Sequence, residues 1–261
     1  MSKGCLLLAT EHKSIDYIGM AHLAAALVMK HLDIPTHIHI NPKPKEGNIR
    51  SFRWDNGDVE TVQWHNADRV DAFDISPFEE TLLIDVDYLT FNNSLKHIFG
   101  SANDFLCYDT AWDVTQTNTL GTDTYMTRNG LKMMWATVVY FRKTELAHNI
   151  FESMKMIKNS WAYYSKLYGF SGSKYRNDFA LTIAHQLMNG YTNNTNIFDH
   201  GLCSLGTEDT IYDVRDNQLL IRYRNGTEHN ALRIQDTNLH CMNKRCLQDE
   251  QILEGLWKLA A

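Results

Sequence analysis

The sequence predicts an α/β fold: a mixed, mostly parallel sheet flanked by helices. Three observations carry this expectation. The short apolar run Leu6 to Ala9 is followed by a helically spaced segment and then by the alternating, β-branched run Thr36 to Ile40. Strand, helix and strand in quick succession form a βαβ unit, which sets its two strands parallel. A third apolar run, Thr81 to Val86, suits a strand covered on both faces.

The elements follow in order. Between Asp16 and Leu32, the residues Ile18, Ala21, Leu23, Ala25, Leu27 and Val28 recur with helical spacing, and Lys30 and His31 fall near the end. Pro35 cannot continue that helix. Asn41 to Gly47 holds two of the four prolines and reads as a loop. Arg50 to Trp64 reads as a hairpin around Asp55-Asn56-Gly57. Asn93 to Phe99 is a short helix, and Leu131 to Phe141 a strand. Leu146 to Leu167 is helical, with Phe151, Met154, Ile157 and Trp161 on one stripe. Asn177 to Asn189 is a helix closed by Gly190. Leu219 to Tyr223 and Ala231 to Ile234 are strands flanking Asn225-Gly226, and Gln248 to Leu259 is a terminal helix. No repeat or flexible linker interrupts the chain, so a single domain over residues 1–261 is expected.

Composition narrows the function classes. The chain has 261 residues, 44% of them hydrophobic and 11% aromatic, which is the composition of a folded protein. A net charge of −6 argues against a surface coated for nucleic acid, though Lys43, Lys45, Arg50 and Arg53 are locally basic. No apolar stretch approaches membrane-span length, so no membrane partner is expected. The apolar start ends at Ala9 and gives way to Glu11, His12 and Lys13, so it reads as a first strand and not as an export signal. Five cysteines without framework spacing then predict reduced thiols and a cytoplasmic location.

Three stretches carry candidate chemistry. Leu83-Ile84-Asp85-Val86-Asp87 delivers two carboxylates at the C-terminal end of an apolar strand, the end where open α/β sheets bind ligands. Two hard oxygen donors there suit Mg²⁺ or Mn²⁺, with phosphate oxygens completing the shell. Leu239-His240-Cys241-Met242-Asn243-Lys244 offers an imidazole for a divalent ion and an ammonium for a diphosphate. At Tyr175-Arg176-Asn177-Asp178, Asp178 either caps a helix or faces a substrate hydroxyl. Phosphate-cradling glycine fingerprints and a serine nucleophile elbow are absent. Cys203, Cys241 and Cys246 lack the paired spacing of a zinc site.

These pieces, in this order, resemble the GT-A-fold glycosyltransferases, with their Rossmann-like nucleotide-binding portion, Asp-x-Asp at a strand end and late metal-binding histidine. The matching stretches are Leu6 to Thr10, Tyr17 to His31, Asp85-Val86-Asp87, His240 and Met134 to Phe141. Trp135-Ala136-Thr137 stands where the family usually has a small-residue pattern beside the sugar. The resemblance implies a nucleotide-binding part over about residues 1–100 and an acceptor part over about 101–261. It implies a nucleotide-diphosphate sugar donor, such as a UDP-sugar, and a Mn²⁺ or Mg²⁺ cofactor. Thr10 and Tyr17 would contact base and ribose, and Asp85 the ribose or, through water, the metal. Asp87 and His240 would ligate the metal directly. Lys244 and Arg128 would face the diphosphate, Trp135 would stack on sugar or base, and Asp178 would position the acceptor hydroxyl or take its proton.

A looser likeness to small tailed-bacteriophage enzymes points to 5-hydroxymethylcytosine in DNA as first acceptor, with the host cytoplasm as location. Lys166, Lys174 and Arg176 are further candidates for a DNA path. A glycan or small molecule is the second acceptor class. A nucleotidyltransferase and a non-catalytic binding protein are the competing functions, and the oligomeric state stays open.

Overall fold

The computed structural model describes residues 2–41, 50–52, 59–61, 67–117, 119, 125–126, 130–170, 174–192, 196–225 and 227–261. At its centre runs β1 (Lys3–Thr10), buried at every position after Lys3. Such a strand needs cover on both faces, which accounts for the unbroken apolar run Cys5 to Ala9. One cover is α1 (Tyr17–Leu32). Asp16 caps it by accepting from Gly19 N at 2.8 Å, and Asp33, in the left-handed region, ends it before Pro35. β2 (Thr36–Asn41) then returns parallel to β1.

β3 (Arg50–Phe52) and β4 (Val59–Thr61) form the expected hairpin, whose turn Asp55-Asn56-Gly57 lies outside the described residues. α2 (Ala72–Ile75) leads to β5 (Glu80–Ile84), parallel to β1 on the side away from β2. Next come β6 (Tyr88–Leu89), β7 (Phe105–Tyr108), β8 (Ala111–Trp112), β9 (Tyr125–Met126), β10 (Leu131–Lys132) and β11 (Trp135–Arg142). Three helices follow, α3 (Glu145–Asn159), α4 (Trp161–Leu167) and α5 (Asn177–Met188). The chain closes with β12 (Leu202–Leu205), β13 (Thr210–Arg215), β14 (Gln218–Asn225), β15 (Glu228–Ile234), β16 (Leu239–Cys241) and α6 (Glu250–Ala260).

The main sheet has the order β2-β1-β5-β11-β7, with β11 antiparallel to both of its neighbours. The α/β expectation holds: a mixed, mostly parallel sheet flanked by helices. A second sheet, β6-β16-β12-β8, sits beyond the end of β5, and β13-β14-β15 form a meander packed on α6. Gly255 lets α6 approach that meander closely, since a Cβ there would come within 2.6 Å of Val214. No described helix is long and apolar enough to cross a membrane.

Several elements differ from expectation. The run Leu131 to Phe141 is two strands, because Leu131 and Lys132 pair with β9 while the chain from Trp135 onward joins β5 and β7 in the main sheet. The helix expected over Leu146 to Leu167 breaks at Ser160, whose N–H turns back to Met156 O and Ile157 O. The third strand stops at Ile84, so Asp85 and Asp87 lie in a turn closed by Tyr88 N donating to Asp85 O (3.0 Å). Of the unexpected strands, β6, β8 and β16 are two or three residues long, too short to show a period.

In the core, the Phe151 ring lies 6.2 Å from Phe73, 6.2 Å from Phe105 and 4.9 Å from Phe141. Removing it leaves a cavity that three aromatic neighbours cannot close. Phe151→Ala is expected to lower unfolding free energy by about 3–5 kcal/mol in urea titration.

Candidate functional site

The chain places β2 on one side of β1 and β5 on the other. That reversal opens a crevice beyond the carboxyl ends of the two strands, the usual ligand position in such sheets. Leu7 lies level with Ile84, where β5 stops while β1 runs on to Thr10. The β6–β16 pairing brings in the distant segment. Cys241 N donates to Asp87 O (2.8 Å), and His240 pairs opposite Tyr88.

The result is one cluster. Ligand atoms of Asp85, Asp87 and His240 all lie within 4.8 Å of one another. His240 Nε2 is 3.6 Å from Asp87 Oδ2, while its Nδ1 meets Ser204 Oγ at 3.0 Å. With Nδ1 protonated toward Ser204, Nε2 turns its lone pair toward the carboxylates. Lys244 Nζ stands 2.5 Å from Asp87 Oδ2, but off the hydrogen-bond direction, so that buried oxygen has no hydrogen-bond donor. The buried Arg69 donates to Asp85 Oδ1 (2.8 Å) and to Thr137 O (3.1 Å), and Asp85 N donates to the same carbonyl at 2.9 Å.

Electrostatics separate the two aspartates. Burial pushes the Asp87 carboxyl up, but its contacts with His240 and Lys244 outweigh burial and hold Asp87 well below the usual carboxylate range. Burial pushes Asp85 up, Arg69 only partly offsets this, and the charge of Asp87 adds to the rise. Burial works against the Lys244 ammonium, yet Asp87 more than compensates and moves its pKa to about 12. Tyr17, at the start of α1, feels the same group: burial raises its phenol, Lys244 draws it down, and both aspartates push it up.

The cluster fits a divalent cation. Two carboxylates and an imidazole are an apt donor set for Mn²⁺ or Mg²⁺, and a small contraction brings them to bonding distances of about 2.0–2.2 Å. Asp87 Oδ2 is buried beside the Lys244 ammonium without a well-directed donor, so it retains lone-pair capacity for a second cation. Two acids here are balanced by two basic side chains, so an added divalent ion leaves the site positive and suited to a diphosphate.

The other expected residues fall as follows. Thr10 is buried at the end of β1 with its hydroxyl unpartnered among the described residues. Trp135 is buried level with Tyr108 at the start of β11. Asp178 has both carboxylate oxygens engaged, Oδ1 by Ala136 N (2.9 Å) and Oδ2 by Arg176 (2.6 Å). Arg128 lies outside the described residues, as do Lys43, Lys45 and Arg53. Arg69 and Ser204 were not foreseen. Neither sits in a motif, and each becomes part of the site only through its long-range contact.

No protein-family model matches the sequence, and no curated protein matches it. Solved structures with some similarity include glycosyltransferases. The galactosyltransferase LgtC, in complex with donor and acceptor sugar analogues, is 15% identical over 68% of this chain and 69% of its own, with a TM-score of 0.41. GlyE of Streptococcus pneumoniae TIGR4 is 10% identical over 72% of this chain and 44% of its own, with a TM-score of 0.41. A Drosophila β1,4-galactosyltransferase 7 in complex with manganese, UDP-Gal and xylobiose is 13% identical over 72% of this chain and 63% of its own, with a TM-score of 0.39. None of these scores assigns a role to a residue of this chain.

Two measurements check the geometry. Ser204→Ala releases His240 Nδ1 and is expected to weaken Mn²⁺ binding about 10–100-fold by calorimetry, with the circular dichroism spectrum unchanged. Asp87 has a folded-state pKa below its unfolded value of about 3.9, so its stabilisation is present above about pH 4 and lost as pH falls through the lowered value. In metal-free protein, Asp87→Asn is expected to flatten the fall of unfolding free energy below about pH 4.

Proposed function

We propose that the protein is a divalent-metal-dependent glycosyltransferase that moves a sugar from a nucleotide-diphosphate sugar to a hydroxyl acceptor. The observation that carries this reading is the convergence of Asp85, Asp87, His240 and Lys244 at the crevice between β1 and β5. Asp87 and His240 would hold Mn²⁺ or Mg²⁺, and Asp85, braced by Arg69, would hold the ion through water or the donor ribose. The bound ion supplies Lewis-acid stabilisation of charge on the diphosphate oxygens.

The chain's own residues do the rest. Lys244 is fully charged at neutral pH and stabilises the negative charge that builds on the leaving diphosphate, more in the transition state than before it. The unpartnered Thr10 hydroxyl offers the donor a hydrogen bond, and Tyr17 flanks it from the start of α1. Asp178, tied to Ala136 N and Arg176, positions the wall at the start of β11. The donor proposed first is a UDP-sugar. An acceptor in DNA, 5-hydroxymethylcytosine, needs a positive path for phosphates. Among the described residues named for such a path, Arg176 is committed to Asp178. A saccharide hydroxyl needs no such path and is the acceptor class we favour.

A thermal-shift panel of nucleotide-sugars with and without Mn²⁺ tests the donor. A ligand at a hundred times its Kd adds about 2.7 kcal/mol of apparent stability. UDP release is then expected to vanish in Asp87→Ala and His240→Ala, and kcat to fall about 10²–10³-fold in Lys244→Met. Unchanged turnover in the first two variants would end the reading. Hydroxymethylated duplex and oligosaccharides, offered in parallel, decide the acceptor.

A further inference from the structure

A second cavity lies behind the strand pair that carries His240. Its volume is about 390 Å³, within the usual range for small-molecule sites, and its lining includes Tyr88, Tyr108, Trp112, Gln116, His200 and Asp236. None of the cation-site residues lines it.

The walls are built, not incidental. The almost wholly buried side chains of Tyr88 and Tyr108 form one wall. Tyr108 Oη meets His200 Nε2 at 3.0 Å, and His200 Nδ1 meets Asp199 Oδ1 at 2.7 Å. Asn238 closes another wall: its Oδ1 accepts from Phe91 N and Asn92 N, and its Nδ2 donates to Asn92 Oδ1 and Ser94 Oγ. Such a satisfied network holds a cavity open in one shape. Trp112 rests on Gly201, where any Cβ would enter the indole ring. That contact fixes an aromatic platform at the lining.

The chemistry selects the ligand. Among the described residues no lysine or arginine lines the cavity, so none of them favours a phosphate or carboxylate there. An indole face suits the C–H face of a pyranose ring, while Gln116 and Asp236, both exposed, offer an amide and a carboxylate to its hydroxyls. We infer that this cavity is a binding subsite for a neutral saccharide. It anchors a remote sugar of the acceptor beside β6 and β16; this anchoring role, unlike the binding itself, rests on the transferase reading.

The test uses the full chain without metal or nucleotide, so it stands apart from the transfer reaction. Lactose, maltose, cellobiose, chitobiose and choline are offered in saturation-transfer NMR. At least one disaccharide is expected to give transfer. Its affinity is expected to fall at least tenfold in Trp112→Ala, to persist in Trp112→Phe, and to be unchanged in Asp87→Asn. If Trp112→Ala does not fold, Gln116→Ala is expected to weaken binding several-fold. Silence from all four sugars, binding of choline alone, binding indifferent to both Trp112→Ala and Gln116→Ala, or binding lost in Asp87→Asn would each overturn the proposal.

Discussion

The pairing of β6 with β16 is the interaction on which the site depends. These are strands of two and three residues, joined across most of the chain. Closing so long a loop has an entropic cost that two backbone ladders cannot meet alone. The surroundings supply the difference: Tyr88, Leu89, Leu239 and Cys241 are almost wholly buried. Because those side chains lock the register, the residues just before β6 and just after β16 meet with little freedom. Asp87 and Lys244 are neighbours for this reason.

Charge balance then decides how the site behaves. Two carboxylates held this close repel, and burial sharpens the repulsion. The fold answers with one basic group for each, Arg69 for Asp85 and Lys244 for Asp87. The two answers differ. Arg69 is rigid, buried and also bonded to Thr137 O, so it braces Asp85. Lys244 touches Asp87 without a well-directed hydrogen bond and sits on a flexible stem. One acid is thereby fixed in place, and the other is kept ionised beside a mobile ammonium.

The start of β11 shows a related economy. Backbone donors just before β11 and at its register shift beside β7 are met by side chains of α5. Asp178 accepts from Ala136 N, and Thr182 Oγ1 from Met134 N. An acid that reads as a helix cap or a base from its neighbours acts as a strut between helix and sheet.

The amino-acid order by itself determined the main layers. Apolar runs and helical spacing mark β1, α1, β2 and β5, because strands covered on both faces and helices covered on one leave a periodic record. It also exposed the acidic pair after β5 and the distant imidazole and ammonium, since those groups are costly to bury without a purpose. It did not show where β5 stops, that Arg69 braces Asp85, that Ser204 orients His240, or that a second cavity lies behind them. Those features depend on pairings of two or three residues and on single contacts between remote segments. Such contacts leave no period in the chain, so only the assembled tertiary structure decided them.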